Sequence, residues 1–483
     1  MEEEKSKACP SGKKWPQYLA ALLASLPMMC TGSVTSWTSP ALAHLQNTNN
    51  GTVEGLTNDE ASWVGAMMPL GAIIGSIPAG FLADALGRKM ALLVLSFPYL
   101  LGWILIIVAD HGVAMLYTGR FILGLSIGAT TVVIPLYCEE ISEVSIRGML
   151  GCYLDFMITI GFLWTYILNT FLEYLDLTIS SAVLPAAFLL SFIWMPESPV
   201  FLLAKNRDDK AVKALRFFRG AKYIKHFDHR PEIEVMRNFT KEGATYSGKT
   251  TTSLSYIKEC LFKLGPVSTT AKAMRIIFGL VIIAQATGIQ GVIYNTVEIF
   301  ESGESSISPY ICNFIVAVVQ FLLSLLTVMV VDRVGRRLLL LLSGTGMAVS
   351  IAFLAVHFLM MDDKWYMANF GWMPCVTVTV FISTYASGFG PLPWLVMAEI
   401  VPTESKGWVS SVCVFLSWSL QFITTKLYSI MVSELGEPTT YVVFCLFCMI
   451  SVMYVAVYLP ETSNKTRAQI QNELQVKVGY HWS

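Results

Sequence analysis

Twelve apolar runs, six on each side of a long polar segment, restrict this chain more than any other feature. They fall near 17–45, 61–83, 90–109, 114–137, 149–172 and 179–195, then 272–300, 309–331, 338–361, 367–398, 408–432 and 437–459. A run of about 20 residues crosses ~30 Å of hydrocarbon as a helix. In hydrocarbon every backbone N–H and C=O needs an internal partner, so continuous runs such as Leu100–Val108 read as helices. Barrel strands would alternate instead. Charged residues are 14% of the chain, against roughly a quarter in a soluble domain, and they gather between the runs. The expected class is an all-α membrane protein with 12 transmembrane helices.

The two sets of six repeat each other. Asp84-x-x-Gly87-Arg88-Lys89 returns 248 residues later as Asp332-x-x-Gly335-Arg336-Arg337. Glu140 and Arg147, seven apart, follow Pro135-Leu136-Tyr137; Glu399 and Lys406, also seven apart, follow Pro391-Leu392-Pro393 at an offset of 259. Pro196-Glu197-Ser198-Pro199 recurs as Pro460-Glu461-Thr462-Ser463 at an offset of 264. The shared order points to duplication into two pseudo-symmetric six-helix halves, a pattern of transporters.

Lys and Arg set the expected orientation. Residues 196–275 hold 16 of them, whereas the loops 46–60, 110–113, 173–178, 301–308 and 433–438 hold none. Both termini and the middle loop are therefore expected in the cytoplasm. The first run follows Lys13 and Lys14 and is too long, and too continuous with the bundle, for a cleaved signal. The expected organisation is a cytoplasmic segment 1–16, a six-helix half 17–195, a cytoplasmic linker 196–271, a second half 272–459 and a cytoplasmic tail 460–483. In the linker, Val212, Leu215 and Phe218 sit at helical spacing among basic residues, which predicts short amphipathic helices.

Asn50-Gly51-Thr52 fits a glycosylation acceptor in an external loop, with an unused sequon as the alternative. The sequons at Asn238 and Asn464 face the cytoplasm and should stay unmodified. Most of the ten cysteines lie inside runs and read as small buried hydrophobes. No Cys/His cluster has zinc spacing, the histidines are scattered, and no P-loop occurs. No metal, cofactor, nucleic-acid partner or enzyme activity is expected.

Taken together the motifs resemble the sugar porter branch of the major facilitator superfamily. Those carrying the likeness are Gly80…Asp84-x-x-Gly87-Arg88-Lys89, Gly119-Arg120, Pro135-x-Tyr137-x-x-Glu140, Arg147-Gly148, Pro196-Glu197-Ser198-Pro199, Gly288-Ile289-Gln290, Asp332-Arg333-x-Gly335-Arg336-Arg337, Gly390-Pro391-x-Pro393-Trp394 and Pro460-Glu461-Thr462. The form Pro-Glu-Ser-Pro-Val-Phe-Leu and Gln320 look most like the insect facilitated trehalose transporters. The resemblance implies the major facilitator fold, a central cavity, and halves that rock about a midplane sugar site.

The charged motifs invite a gating reading. Asp84 and Asp332 end a run before a Gly turn, where a carboxylate can cap a helix N-terminus. Arg88, Arg120, Arg147, Arg336, Arg337 and Lys406 are expected to pair with Glu140, Glu197, Glu399 and Glu461 on the facing half. Such bridges would close the cytoplasmic side. The other reading is that these charges only set topology. Lys406 stands where the family usually has Arg and cannot form a bidentate fork.

A sugar needs amides and hydroxyls for its OH groups and aromatic faces for its C–H side. Polar groups in hydrocarbon are costly and should face a cavity. The seventh run offers Gln285, Thr287, Gln290, Tyr294 and Asn295, with Gly288 and Gly291 loosening the helix. Gln320 lies in the eighth, Trp394 follows two prolines in the tenth, and Trp418 and Gln421 share a face in the eleventh. By resemblance Gln285, Gln290, Gln320, Trp394, Trp418 and Gln421 match sugar contacts. Each alone could be interhelical glue or packing.

Departures from the family are informative. Ala284 replaces a glutamine, Gln290 an asparagine, Asn295 a tyrosine, and Ala386 the Glu of glucose facilitators. Asp155 stands where sugar porters place a ligand Gln, seven residues after Arg147-Gly148 and so ~10 Å inside on a helix. It either binds a sugar OH, accepts a proton, or sits near water with no coupling role.

The expected function is a monomeric plasma-membrane uniporter, its partners the bilayer and a hexose or trehalose. The alternatives are a proton-coupled symporter using Asp155, a non-transporting sugar sensor, and a carrier of another small polar solute. An anion carrier would need a cavity cation, for which Lys426, near an external end of the eleventh run, is the candidate.

Overall fold

The computed structural model describes residues 13–47, 55–109, 112–143, 146–221, 230–237, 269–401, 403–463, 465 and 469. Among them there is no strand. The first half runs α1 (Trp15–Ala24), α2 (Leu26–Asn47), α3 (Asn58–Leu86), α4 (Arg88–Ile107), α5 (Val113–Ile141), α6 (Arg147–Asn169) and α7 (Tyr174–Phe192). Short α8 (Pro199–Ala204) and α9 (Asp208–Phe218) follow. The second half runs α10 (Thr269–Ala286), α11 (Ile289–Tyr294), α12 (Thr296–Ser302), α13 (Pro309–Val334), α14 (Arg336–Met360), α15 (Lys364–Phe370), α16 (Met373–Ser387), α17 (Leu392–Ile400), α18 (Thr403–Leu435) and α19 (Glu437–Tyr458). Ten helical stretches of the described chain are long and apolar enough to cross a membrane. Helices α6 and α18, of 23 and 33 residues, supply two more crossings of comparable length.

Local chemistry explains the starts, breaks and close approaches. At α3, Glu60 N donates to Thr57 Oγ1 (3.3 Å) and Thr57 N donates to Glu60 Oε2 (3.0 Å), a reciprocal cap. The seventh crossing breaks between α10 and α11 at Gly288, whose φ of +76° favours glycine. A Cβ there would also strike the Phe444 ring. The tenth breaks between α16 and α17, where Gly388 to Pro391 interrupt the ladder. Gly71 and Gly75 of α3 lie so close to α5 that an added Cβ would meet backbone, the small-residue packing expected between membrane helices.

The halves meet along two matching seams: α3 lies beside α18, and α6 beside α13. Helix α9 forms as its spacing predicts, burying Ala211, Ala214, Leu215 and Phe218, and the Phe218 ring lies 6.4 Å from Tyr137. Most of the remaining linker, and Asn50 with its sequon, lie outside the described residues.

Candidate functional site

One end of the bundle carries the charged motifs, and its two halves are built alike. Arg88 opens α4 and donates to Glu140 at the end of α5 (Nη2–Oε1 2.9 Å, Nε–Oε1 3.0 Å). Arg336 opens α14 and donates to Glu399 of α17 (Nη2–Oε1 3.0 Å). Each arginine also reaches the last turn of the preceding helix, Arg88 at Ala83 O (3.3 Å) and Arg336 at Val331 O (3.2 Å). Gly87 and Gly335 make the turns at φ of +100° and +94°. Glu197 then accepts from Lys89 N (3.0 Å), and Glu461 from Arg336 N (2.9 Å) and Arg337 N (3.1 Å). The duplication read from sequence is thus a duplication of contacts.

Three expectations change here. The helix starts are capped by Glu197 and Glu461, whereas Asp84 makes an i,i+4 ion pair with Arg88 (3.0 Å). The Arg–Glu pairs named above close within one half, not across to the other, because each Glu sits on a helix end packed beside its own turn. Arg120 is not at this end at all. It lies 20 residues before Glu140 on α5, ~30 Å away at helical rise. The side chains of Arg147, Asp332 and Lys406 lie outside the described set.

Arg120 is fully buried near the opposite end. It donates to Val34 O (2.8 Å), Val64 O (3.3 Å) and Thr38 Oγ1 (2.7 Å), and its guanidinium lies 5.6 Å from the Trp37 ring. These bonds tie α5 to α2 and α3. Tyr294 of the second half lies within its electrostatic reach.

At that same opposite end the halves bond to each other. Thr296 Oγ1 donates to Ser39 Oγ (2.8 Å), and Val297 N donates to the same oxygen (2.9 Å). Lys426 Nζ of α18 reaches Asp59 Oδ1 of α3 (3.1 Å) and lies 4.2 Å from the Trp63 ring centre. Trp63 in turn packs on Phe422. Lys426, unabsorbed by any sugar contact, is therefore a bridge between halves.

Between the two ends lie the amides. Gln285 Nε2 donates to Ser417 Oγ (3.1 Å), and Gln421 Nε2 donates to Tyr294 OH (2.9 Å). The Oε1 atoms of Gln285, Gln290 and Gln320 are buried without a partner among the described residues. An unsatisfied buried acceptor costs about 1–3 kcal/mol, so each of these three oxygens would gain from a hydrogen-bond donor. Trp394 and Trp418 are half-buried against the apolar core, Trp418 adjoining the Ser417 that Gln285 bonds. Asp155 of α6 is half-buried, with no ion-pair partner among the described residues, and Tyr385 of α16 lies within its electrostatic reach. Sequence reasoning missed Ser417, although it lies next to Trp418 and four residues before Gln421. It also missed Thr159 and Ser324, whose hydroxyls meet across the halves at 3.4 Å. A separate cavity of about 510 Å³, lined by Pro196, Glu197, Lys210 and Phe217 among others, lies beside α8 and α9 at the charged end, away from the amides.

Two six-helix halves meeting at a polar seam define the major facilitator fold, and known structures agree. The E. coli xylose transporter XylE superposes in its partially occluded inward-open conformation with a TM-score of 0.75, at 19% identity over 93% of this chain and 99% of that one. Its inward-open conformation gives 0.75 at 18% identity, over 95% and 99%. At such identities the likeness speaks for the fold. The profile of the family described as "Sugar (and other) transporter" matches residues 18–474. The chain belongs to that family. Among its relatives, the "Facilitated trehalose transporter Tret1" of Culex quinquefasciatus is 32% identical over 458 residues, 95% of this chain and 86% of that one. The one from Anopheles gambiae is 33% identical over 464 residues, 96% of this chain and 56% of that one. The chain thus spans little more than half the length of several relatives it matches.

Proposed function

We propose that this chain is a facilitative carrier that moves a sugar, a hexose or trehalose, down its gradient by alternating access. The observation that carries this is the set of unpartnered amide oxygens of Gln285, Gln290 and Gln320, held between two halves that bond to each other at one end. Sugar hydroxyls are donors that satisfy such acceptors, and the indoles of Trp394 and Trp418 offer apolar faces. Family membership and relatives named as facilitated trehalose transporters support the same substrate class.

In this reading the charged end faces the cytoplasm, as the Lys and Arg bias favours, with both termini inside a plasma-membrane monomer. The Arg88–Glu140 and Arg336–Glu399 pairs hold each half rigid as it rocks. Asp155 supports a second reading, proton-coupled symport, because a carboxyl in the seam without a cationic partner is placed to exchange a proton.

Uptake of labelled trehalose, glucose and fructose into proteoliposomes, with and without a pH gradient, tests both. Uniport predicts saturable uptake indifferent to the gradient. Gradient-driven uptake lost in Asp155→Asn selects symport. No saturable uptake of any sugar rejects the carrier reading.

A further inference from the structure

Helices α6 and α13 run antiparallel along one seam, and two contacts fix their faces: Thr159 meets Ser324, and Phe156 stacks on Phe321 at 5.5 Å. At 3.6 residues per turn, Asp155 and Tyr166 share the Thr159 face of α6, and Asn313, Ala317 and Gln320 share the Ser324 face of α13. Counted outward from these two contacts along antiparallel helices, Asn313 falls opposite residues 164–170, within about a turn of Tyr166 and toward the Ser39–Thr296 seal. The Tyr166 hydroxyl, near Thr296, is itself buried without a hydrogen-bond partner among the described residues. Asn313 lies seven residues from Gln320, ~10 Å along the helix.

Asn313 is fully buried, and it alone among the described residues has both side-chain ends, Nδ2 and Oδ1, buried without a partner. A buried amide in that state costs more than a neighbouring glutamine, each of which has one buried unpartnered atom, its Oε1. Ala317, between the two amides, contributes almost no bulk. The seam therefore has two stations: Gln320 beside the central amides, and Asn313 with Tyr166 just below the seal. Neither Asn313 nor Tyr166 carries charge, so the chemistry matched is neutral and hydroxyl-rich. The spacing exceeds one pyranose ring and fits two linked rings.

We propose that Asn313 and Tyr166 form an outer subsite that takes the second ring of a disaccharide whose first ring lies at the glutamines. This rests on the sugar-carrier reading and deepens it: the outer station selects a disaccharide over a hexose.

The test is uptake of labelled trehalose and of glucose by the full chain in proteoliposomes, comparing wild type, Asn313→Leu and Asn313→Ser. The subsite predicts a rise of about tenfold in trehalose KM, with glucose KM changed less than twofold. Glucose uptake reports that each variant folds, and Asn313→Ser covers the case in which leucine prevents folding. Equal changes for the two sugars, or no change for either, overturn the subsite. Wild-type uptake of glucose but not trehalose also overturns it while leaving the carrier intact; uptake of neither sugar rejects the carrier reading itself.

Discussion

Glu197 and Glu461 show how much one carboxylate organises. For Glu461, burial pushes its pKa up, but backbone N–H groups from Ser463, Arg336, Arg337 and Thr462 outweigh burial and hold it below the usual glutamate value. A depressed folded-state pKa means the carboxylate stabilises the fold above the ordinary value and loses that contribution as pH falls through the depressed one. Glu461→Ala should lower stability by about 1–2 kcal/mol, and Glu461→Gln should flatten the acid limb of thermal stability in detergent. An unchanged acid limb would show that the cap contributes little. Sequence placed this glutamate in a repeated motif but assigned capping to Asp84. The true cap lies 108 residues away for Lys89 and 125 for Arg336, a separation that local turn chemistry does not reveal. Asn313 had a local signal, a polar residue seven before Gln320, but one amide in an apolar run reads as glue until its partners are known.

Helix breaks and cross-half contacts act one level up. Gly288 combines a left-handed φ with a close Phe444 ring, so Gly288→Ala should destabilise by roughly 1–3 kcal/mol, read as a lower unfolding temperature. The break was legible because glycines interrupt the seventh run. The bridge from Lys426 was not, since it joins residues 367 apart. The Asp59 side chain is 79% exposed, so its ion pair should contribute little, whereas the contact over Trp63 is close. Lys426→Met should therefore raise labelling of a cysteine placed at Ser39 by an impermeant thiol reagent several-fold, and Asp59→Asn should raise it less. The reverse order would assign the closure to the ion pair.

Across the whole molecule, hydrophobic patterning made the helical crossings and the duplication legible, because a bilayer leaves few alternatives. The conformation was not legible. Sequence pointed to bridges across the charged end, yet the Arg–Glu pairs lie within halves, and bonds between halves gather at the other end. In any bundle that alternates between two states, each state keeps bonds that the other breaks, and a sequence lists donors without saying which state is occupied. Arg120 illustrates the cost. Its motif marked it as important, but only the fold shows it tying α5 to α2 and α3 beside the seal.

The central claim is that the seal must open for sugar to pass. Ser39 and Thr296 meet at 2.8 Å across the halves, so Ser39→Cys with Thr296→Cys allows a disulfide that locks them together. Sugar uptake into proteoliposomes should disappear when this cross-link is formed and return on reduction. Uptake that continues through a fully formed cross-link would contradict alternating access at this end.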